Sequence, residues 1–183
     1  MKKTAPGNSP INSGEWWDSY FQQGWESHTG PQQTQHFMEC LVANLDKNEL
    51  SYLAANRLDI LDWGCAMGEG AKLLADIFPR SNVAGLDFAR TAVDRAKQQF
   101  PRQEFIWTAD GAIPREFDVI VVSNTLEHFR EPFKAMAQHL RNCRSLYLAL
   151  VPYNETDLRQ DHFYSFNESS FPAEISGFRK LYG

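Results

Sequence analysis

Cysteine is scarce in this chain of 183 residues, and the few copies are far apart. Cys40, Cys65 and Cys143 form no Cys-x-x-Cys pair, and their number is odd. A disulfide framework or a cysteine-based zinc cluster is therefore not expected. Isolated cysteines are typical of a reducing compartment, so the sequence predicts a cytoplasmic location.

The chain also lacks long apolar runs and a surplus of basic residues. The longest apolar run, residues 146–151, is far too short to span a bilayer, and no apolar stretch follows the lysines near Met1 as in a signal peptide. The formal net charge is −5, so the chain has no excess of basic residues of the kind that general nucleic-acid binding requires. The expected partner is a small molecule, with no nucleic acid and no membrane span.

The length suits a single domain, since a domain usually takes about 100–200 residues. Residues 1–14 are rich in Pro, Gly, Asn and Ser and are expected to form a flexible N-terminal tail. Residues 15–57 are predicted to form an N-terminal helical cap. Residues 58–183 are predicted to form the core that binds a ligand.

The cap begins with a cluster of aromatic residues. Trp16 and Tyr20, with Trp17 beside them, fall on one face of a predicted helix. A second helix is predicted over residues 31–45, and residues 46–48 end it. The aromatic helix either packs on the domain or lies over a ligand as a lid, and the sequence leaves both interpretations open.

Strand patterns alternate with helix patterns from residue 58 onward. This alternation predicts an α/β fold with a Rossmann-like, doubly wound, mainly parallel sheet that is covered on both faces. Ligands of such sheets bind beyond the carboxyl ends of the strands. The predicted strands cover residues 58–62, 82–86, 104–107, 117–122 and 145–151, and the predicted helices cover residues 69–78, 91–100 and 132–141.

A glycine-containing loop, residues 62–68, joins the first predicted strand to the helix that follows. Gly64 and Gly68 let the backbone turn tightly and approach a ligand closely. The free N–H groups at the start of the helix favour a carboxylate, whereas the side chain of Asp62 suits a cationic amine. An ordinary strand–helix turn is the structural alternative.

Other nucleotide-binding motifs fit this loop poorly. A dinucleotide fingerprint, Gly-x-Gly-x-x-Gly, aligned from Gly64 would have Ala66 and Glu69 in place of its second and third glycines. The carboxylate of Glu69 would also face the negative charge of a pyrophosphate. The P-loop pattern fails because no Gly-Lys-Ser/Thr follows.

Acidic residues also follow the second and third predicted strands. Asp87 is placed to accept hydrogen bonds from both hydroxyls of a ribose, which indicates a nucleoside but does not identify the cofactor. Asp110 can accept from an adenine amino group, with Gly111 and Ala112 lining the ring. Each acid alone is a common turn residue, but three of them at one sheet edge indicate a nucleoside site.

Four motifs in order resemble the class I methyltransferases that use S-adenosylmethionine (SAM). Residues 61–68 resemble the first motif of this family, residues 85–87 its second-strand acid, residues 117–128 its fourth strand and Leu-Glu-His turn, and residues 148–152 its fifth strand. The resemblance implies SAM as cofactor, with S-adenosylhomocysteine (SAH) as product. It assigns the cofactor contacts to Asp62, Gly64, Cys65, Ala66, Gly68, Asp87, Phe88, Asp110, Gly111, Ala112, Ser123 and Asn124.

The chain departs from this family in two places. Ala66 replaces the middle glycine of the first motif, which predicts a slightly altered loop and not a lost site. The family's sheet closes with an antiparallel pair of strands, and residues 178–182 can supply only the first of them. The sheet is therefore expected to lack its last strand unless a partner or a further segment completes it, and the oligomeric state stays open.

The N-terminal region carries a second, shorter resemblance. Trp25-Glu26, Gly30 and Gln33-Thr34 resemble methyltransferases found with bacterial surface-polysaccharide enzymes. The two resemblances together imply an O-methyl transfer to a small molecule, with a sugar or another cell-envelope precursor as one option. The alternatives are a non-catalytic methyltransferase-like domain that binds SAM or only a partner and, less favoured, an NAD-type oxidoreductase or epimerase.

Two histidines are candidates for chemistry on the methyl acceptor. His128 follows the fourth predicted strand and His162 lies in the loop after the fifth, so both belong to the ligand edge, and histidine titrates near neutral pH. Either can act as a general base, with a packing role or a surface-loop position as the alternative. Glu127, His128, Asp161 and His162 match no closed metal-ligand spacing, so the sequence predicts no metal site.

Overall fold

The structure is a computed structural model that describes residues 9–181. Its helices are α1 (Gly14–Gln23), α2 (Gly30–Ala43), α3 (Lys47–Ala55), α4 (Glu69–Ile77), α5 (Arg90–Gln99) and α6 (Pro132–Leu140). Its strands are β1 (Asp59–Trp63), β2 (Asn82–Asp87), β3 (Glu104–Trp107), β4 (Phe117–Ser123), β5 (Cys143–Leu150), β6 (Glu174–Ile175) and β7 (Phe178–Arg179). The strands and helices predicted for the core are confirmed, with bounds that agree within two residues.

Strands β1 to β5 form one parallel sheet in the order β3-β2-β1-β4-β5. Strand β1 lies in the centre, where Asp62 pairs with Gly85 of β2 on one side and with Val121 of β4 on the other. Because the strands are parallel, their carboxyl ends meet at one edge of the sheet. The prediction of a Rossmann-like, doubly wound α/β fold is confirmed.

The central strands are apolar on both sides because helices cover both faces of the sheet. In β4, Val119 and Val121 pack into one apolar cluster with residues of α2, α4 and α5. Ile120 and Val122 alternate with them and pack into the opposite cluster, which includes Leu140 of α6. Burial on both faces fixes the register of the strand, since a slip of one residue would exchange the two sets.

The N-terminal cap contains one helix more than the sequence predicted. Asp46 accepts hydrogen bonds from the backbone N–H groups of Asn48 and Glu49, and the side chain of Glu49 accepts from the backbone N–H of Asp46. This capping box begins α3 at Lys47. The segment that was predicted to end one helix therefore also begins the next.

The C-terminal strands form a separate hairpin. The sequence predicted that residues 178–182 would supply the first strand of an antiparallel pair at the sheet edge. Instead, β7 pairs with β6 in its own two-stranded sheet, so this prediction is wrong for Phe178 and Arg179, while Tyr182 lies outside the described residues. Positive φ angles at Ser176 and Gly177 (49° and 84°) form the tight turn that closes this hairpin.

None of the helices within residues 9–181 combines the length and the hydropathy that a bilayer crossing requires.

Candidate cofactor and acceptor site

The loop between β1 and α4 has the tight geometry that its glycines predict. Gly64 and Gly68 have φ angles of +79° and +92°, which side chains rarely allow. A β-carbon at Gly64 would lie 2.7 Å from the hydroxyl of Thr125, and one at Gly68 would lie 2.6 Å from the ring of Phe105. Both positions therefore require glycine for conformation and for space.

Ala66, the residue that replaces the middle glycine, has a left-handed backbone with a φ of 48°. Its backbone N–H donates to the Asp87 carboxylate over 3.0 Å, and the N–H of Ala89 donates to the other oxygen over 2.8 Å. Asp87 thus ties the first loop to the end of β2. The loop keeps its conformation with alanine at this position because a β-carbon is tolerated in the left-handed region at a modest cost in energy.

Asp62, at the end of β1, is a buried carboxylate whose Oδ2 has no hydrogen-bond partner among residues 9–181. Burial, followed by the charge of Asp87, raises the pKa of Asp62 to about 7. Burial also raises the pKa of Asp87 to about 6, although the N–H groups of Ala89 and Ala66 oppose that rise. Two buried acids so close together favour the binding of a positively charged group beside them.

The third acid lies at the rim. Asp110 is exposed and accepts from the backbone N–H of Ala112 over 3.0 Å. The carbonyl of Gly111 accepts from the indole N–H of Trp63 over 2.8 Å. The loop after β3 is thereby fixed to the end of β1, which brings all three acidic strand ends to one place.

One cavity of about 630 Å³ adjoins this edge of the sheet. Eight of the twelve predicted cofactor residues line it, and the other four, Cys65, Gly68, Gly111 and Ala112, shape the surrounding loops. Cys65, for example, is buried in the apolar core. The predicted residues that line the cavity are Asp62, Gly64, Ala66, Asp87, Phe88, Asp110, Ser123 and Asn124.

The N-terminal cap forms the opposite wall of the cavity. Trp17, Phe21 and Trp25 line it, whereas Trp16 and Tyr20 are buried in a cluster with Met67 and Ala89. The aromatic helix therefore packs on the domain and also faces the cavity. Helix α2 contributes Gln33, Thr34, Phe37 and Met38 to the same wall.

The two predicted histidines lie together in the wall of the same cavity. The rings of His128 and His162 are 5.1 Å apart, and Glu127 lines the cavity beside them. Burial raises the pKa of Glu127 to about 8, with its own backbone N–H opposing that rise. The carboxylate of Asp161 pairs with Arg159 at 3.6 Å. Of the four residues named above as possible metal ligands, three have ligand atoms close to one another. These three are Glu127, His128 and His162.

Asn12 is a contact residue that the sequence analysis did not identify. Its side-chain amide donates to the backbone carbonyls of His128 and Asp161, over 3.0 and 2.8 Å. It belongs to the segment assigned to the flexible tail, yet Ile11, Asn12 and Gly14 line the cavity. A composition of Pro, Gly, Asn and Ser carried no signal of this contact. Residues 1–8 of the predicted tail lie outside the described residues.

Together, the strand order, the glycine loop and the acid at the end of β2 define a Rossmann-like domain that binds a nucleoside cofactor. Residues 61–147 match the family model described as a methyltransferase domain. This match supports the class I SAM-dependent methyltransferase domain and the SAM cofactor that the sequence motifs predicted.

This chain is similar to methyltransferases that act on different acceptors. A malonyl-[acyl-carrier protein] O-methyltransferase of Acetivibrio thermocellus is 26% identical over 94 residues, which are 49% of this chain and 33% of that protein. The plantazolicin methyltransferase BpumL in complex with SAH has a TM-score of 0.56 at 17% identity, over 73% of this chain and 52% of that chain. A sugar N-methyltransferase from Streptoalloteichus sp. has a TM-score of 0.53 at 13% identity, over 86% and 61%.

This chain therefore spans about a third of the curated relative and about half of BpumL. At these identities the solved structures support the shared fold. The acceptor differs between the relatives and is not carried over from them.

Proposed function

We propose that the protein transfers the methyl group of SAM to a hydroxyl of a small molecule, with a sugar or another cell-envelope precursor as the acceptor class. The observation that carries this proposal is the single cavity that joins the acidic strand ends to the histidine pair. One end has groups suited to the cofactor and the other has groups suited to an acceptor. A direct transfer needs both ligands in one water-poor space.

The residues at the sheet edge fit SAM chemically. The unpartnered Oδ2 of Asp62 suits the ammonium of the methionyl end, and the N–H groups at the start of α4 suit its carboxylate. Asp87 suits the ribose hydroxyls, because each carboxylate oxygen keeps a lone pair beyond its backbone bond. Asp110 and Phe88 suit the adenine. When bound, SAM supplies a methyl group on a sulfonium, which is a good leaving group.

The chain's contribution to the reaction is alignment and removal of a proton. Alignment of two reactants can supply about 7–11 kcal/mol of the barrier. His128 and His162 line the same cavity as the groups suited to SAM, and we propose that these two side chains promote loss of the acceptor's proton. Trp17 and Phe21 on the opposite wall exclude water from the reacting groups.

Two other functions stay open as alternatives. An NAD-type oxidoreductase is disfavoured because Glu69, in the first turn of α4, would place its carboxylate near a pyrophosphate. A non-catalytic domain that binds SAM or a partner is also compatible with the fold. A cytoplasmic location is part of the proposal and is in keeping with three cysteines that form no disulfide.

Calorimetric titration of the protein with SAM, SAH and NAD tests the cofactor. We expect SAM and SAH to bind and NAD to fail. Binding of NAD alone would refute the proposal. Incubation with labelled SAM and sugar or phosphosugar acceptors then tests turnover, with transfer of label as the readout. Tight SAM binding with no transfer to any acceptor would favour the non-catalytic alternative.

A further inference from the structure

Three metal-ligating side chains from two loops converge at the acceptor end of the cavity. Glu127 and His128 lie in the turn after β4, and His162 lies in the loop after β5. One ligand atom from each lies within 4.8 Å of those from the other two. The Oε1 atom of Glu127 is 3.9 Å from Nε2 of His128. All three residues line the cavity, so a cation held by them would face the acceptor.

Both imidazoles are oriented as metal-binding histidines usually are. Nδ1 of His128 lies 2.8 Å from the backbone carbonyl of Asp161, which can only accept, so this nitrogen carries the proton. Nδ1 of His162 lies 2.8 Å from the Glu155 carboxylate and donates in the same way. In each neutral ring Nε2 then keeps its lone pair for a cation. A ligating histidine almost always donates its other ring N–H to a carboxylate or a backbone carbonyl.

Glu127 provides an independent indication of a cation. Its side chain is only 2% exposed, and its Oε2 is a buried oxygen with no hydrogen-bond partner within residues 9–181. A buried carboxylate oxygen without a partner is costly, and buried charges are usually paired or coordinate a metal. A cation between Glu127 and the two imidazoles would satisfy it.

We propose that Glu127, His128 and His162 bind a divalent transition-metal cation such as Zn²⁺. Two imidazoles and one carboxylate are typical of catalytic sites, which keep a coordination position open, and not of closed structural sites. Ligand atoms at about 2.1 Å from a tetrahedral cation lie roughly 3.4 Å apart, so the side chains need to approach one another by up to about 1.4 Å on binding. The sequence predicted no metal because the ligands are separated along the chain.

The role of the cation in the reaction rests on the proposed methyl transfer, whereas cation binding itself does not. The acceptor's hydroxyl oxygen would occupy the open position, where the cation lowers the pKa of the hydroxyl and its proton leaves to solvent. The oxygen then forms its bond to the methyl carbon while the carbon–sulfur bond breaks, and the sulfur keeps the electron pair. His128 and His162 serve this step as ligands, with Glu127 as the third.

Calorimetric titration of the EDTA-treated, dialysed full chain with ZnCl₂ tests the site without any acceptor. We expect one tightly bound cation per chain, with its affinity at least about 10-fold weaker in His128→Ala, His162→Ala and Glu127→Gln. His36→Ala is the matched control. His36 lies 3.6 Å from Cys40 on the exposed side of α2, where this pair can attract zinc at the surface. The control is expected to keep the wild-type affinity for the cavity cation.

Equal zinc affinity in the wild type and all three cavity variants would overturn the inference, as would loss of binding only in His36→Ala. Circular dichroism identifies a variant that fails to fold. If His162→Ala fails to fold, His162→Gln replaces it. Titration of the same samples with SAH keeps the two proposals apart. Failure of the wild type to bind SAH would refute the proposed function, while the zinc titration would still decide the metal site.

Discussion

The indole ring of Trp17 lies edge-on to the imidazole of His128, with 4.9 Å between the ring centroids. Trp17 belongs to the first helix of the cap, and His128 belongs to the turn after the fourth strand of the sheet. The cap therefore contacts the acceptor end directly. The same helix packs on the loop that holds Ala66 and Met67, so it also touches the cofactor end.

This position predicts that SAM orders the cap. Hydrogen exchange in residues 11–25 should slow on addition of SAM or SAH, because these residues form one wall of the cavity. Helix α3, none of whose residues lines this cavity, provides the internal control and should exchange at an unchanged rate. Identical exchange of residues 11–25 with and without cofactor would mean that the helix only packs on the domain.

Replacement of Asp87 should weaken SAM binding by about 1.5–3 kcal/mol, the usual cost of lost charged hydrogen bonds. Asp87→Ala should also lower the free energy of unfolding, because the N–H groups of Ala66 and Ala89 lose their acceptor. Asp87→Asn keeps one acceptor oxygen and should fold better. Calorimetry and urea melts measure both effects, with Asp76→Ala on the exposed side of α4 as control. Unchanged affinity in both Asp87 variants would place the ribose elsewhere.

The buried acids predict opposite pH trends for stability and binding. Folded pKa values of about 7 for Asp62 and about 6 for Asp87 exceed the ordinary value of about 3.9. The unliganded protein should therefore lose stability as the pH rises from about 4 through 7, since the unfolded chain releases these protons first. SAM needs the ionised carboxylates, so its affinity should rise over about pH 5.5–7.5.

Melting curves and calorimetry at several pH values measure the two trends. Asp62→Asn should remove the upper part of the pH dependence and leave the part that Asp87 causes. Affinity that is flat over this range in the wild type would show that neither carboxylate contacts the cofactor.

Ala66→Gly tests the altered first motif. The left-handed backbone at residue 66 costs a non-glycine residue about 1–2 kcal/mol, and glycine removes this strain. Glycine also loses more conformational entropy on folding, which offsets about 0.5–1 kcal/mol of the gain. The free energy of unfolding should therefore rise by about 0–1.5 kcal/mol in urea melts. SAH affinity should stay unchanged, because Ala66 acts through its backbone N–H. A large loss of affinity would mean that the methyl group itself contacts the cofactor.

Once an acceptor is known, His128→Ala and His162→Ala should each lower kcat by about 10²–10⁴-fold at saturating SAM. SAM affinity should remain, since neither side chain is among the groups proposed to hold SAM. His28→Ala, an exposed histidine in the cap, should keep full activity. Full kcat in both cavity variants would show that the proton leaves by another route or that the acceptor is already nucleophilic.

Much of the fold could be predicted from local patterns. The alternation of strand and helix patterns from residue 58 onward predicted elements that the structure confirms. Helix α3 was missed because its signal, a capping box at Asp46, was interpreted only as a helix end. The pairing of β7 with β6 could not be predicted, since both are two residues long and their partner choice depends on a local turn.

The sequence by itself determined the cofactor end, because every group there follows a strand and parallel strands bring their ends to one edge. Asp62, Asp87 and Asp110 could be placed together from strand order alone. Only the tertiary structure decided the acceptor end. Asn12 reaches His128 across 116 positions of sequence, and His162 meets His128 through a loop with no repeating pattern. Contacts of this kind depend on how the cap and the loop pack against each other. No periodic pattern along the chain predicts that packing.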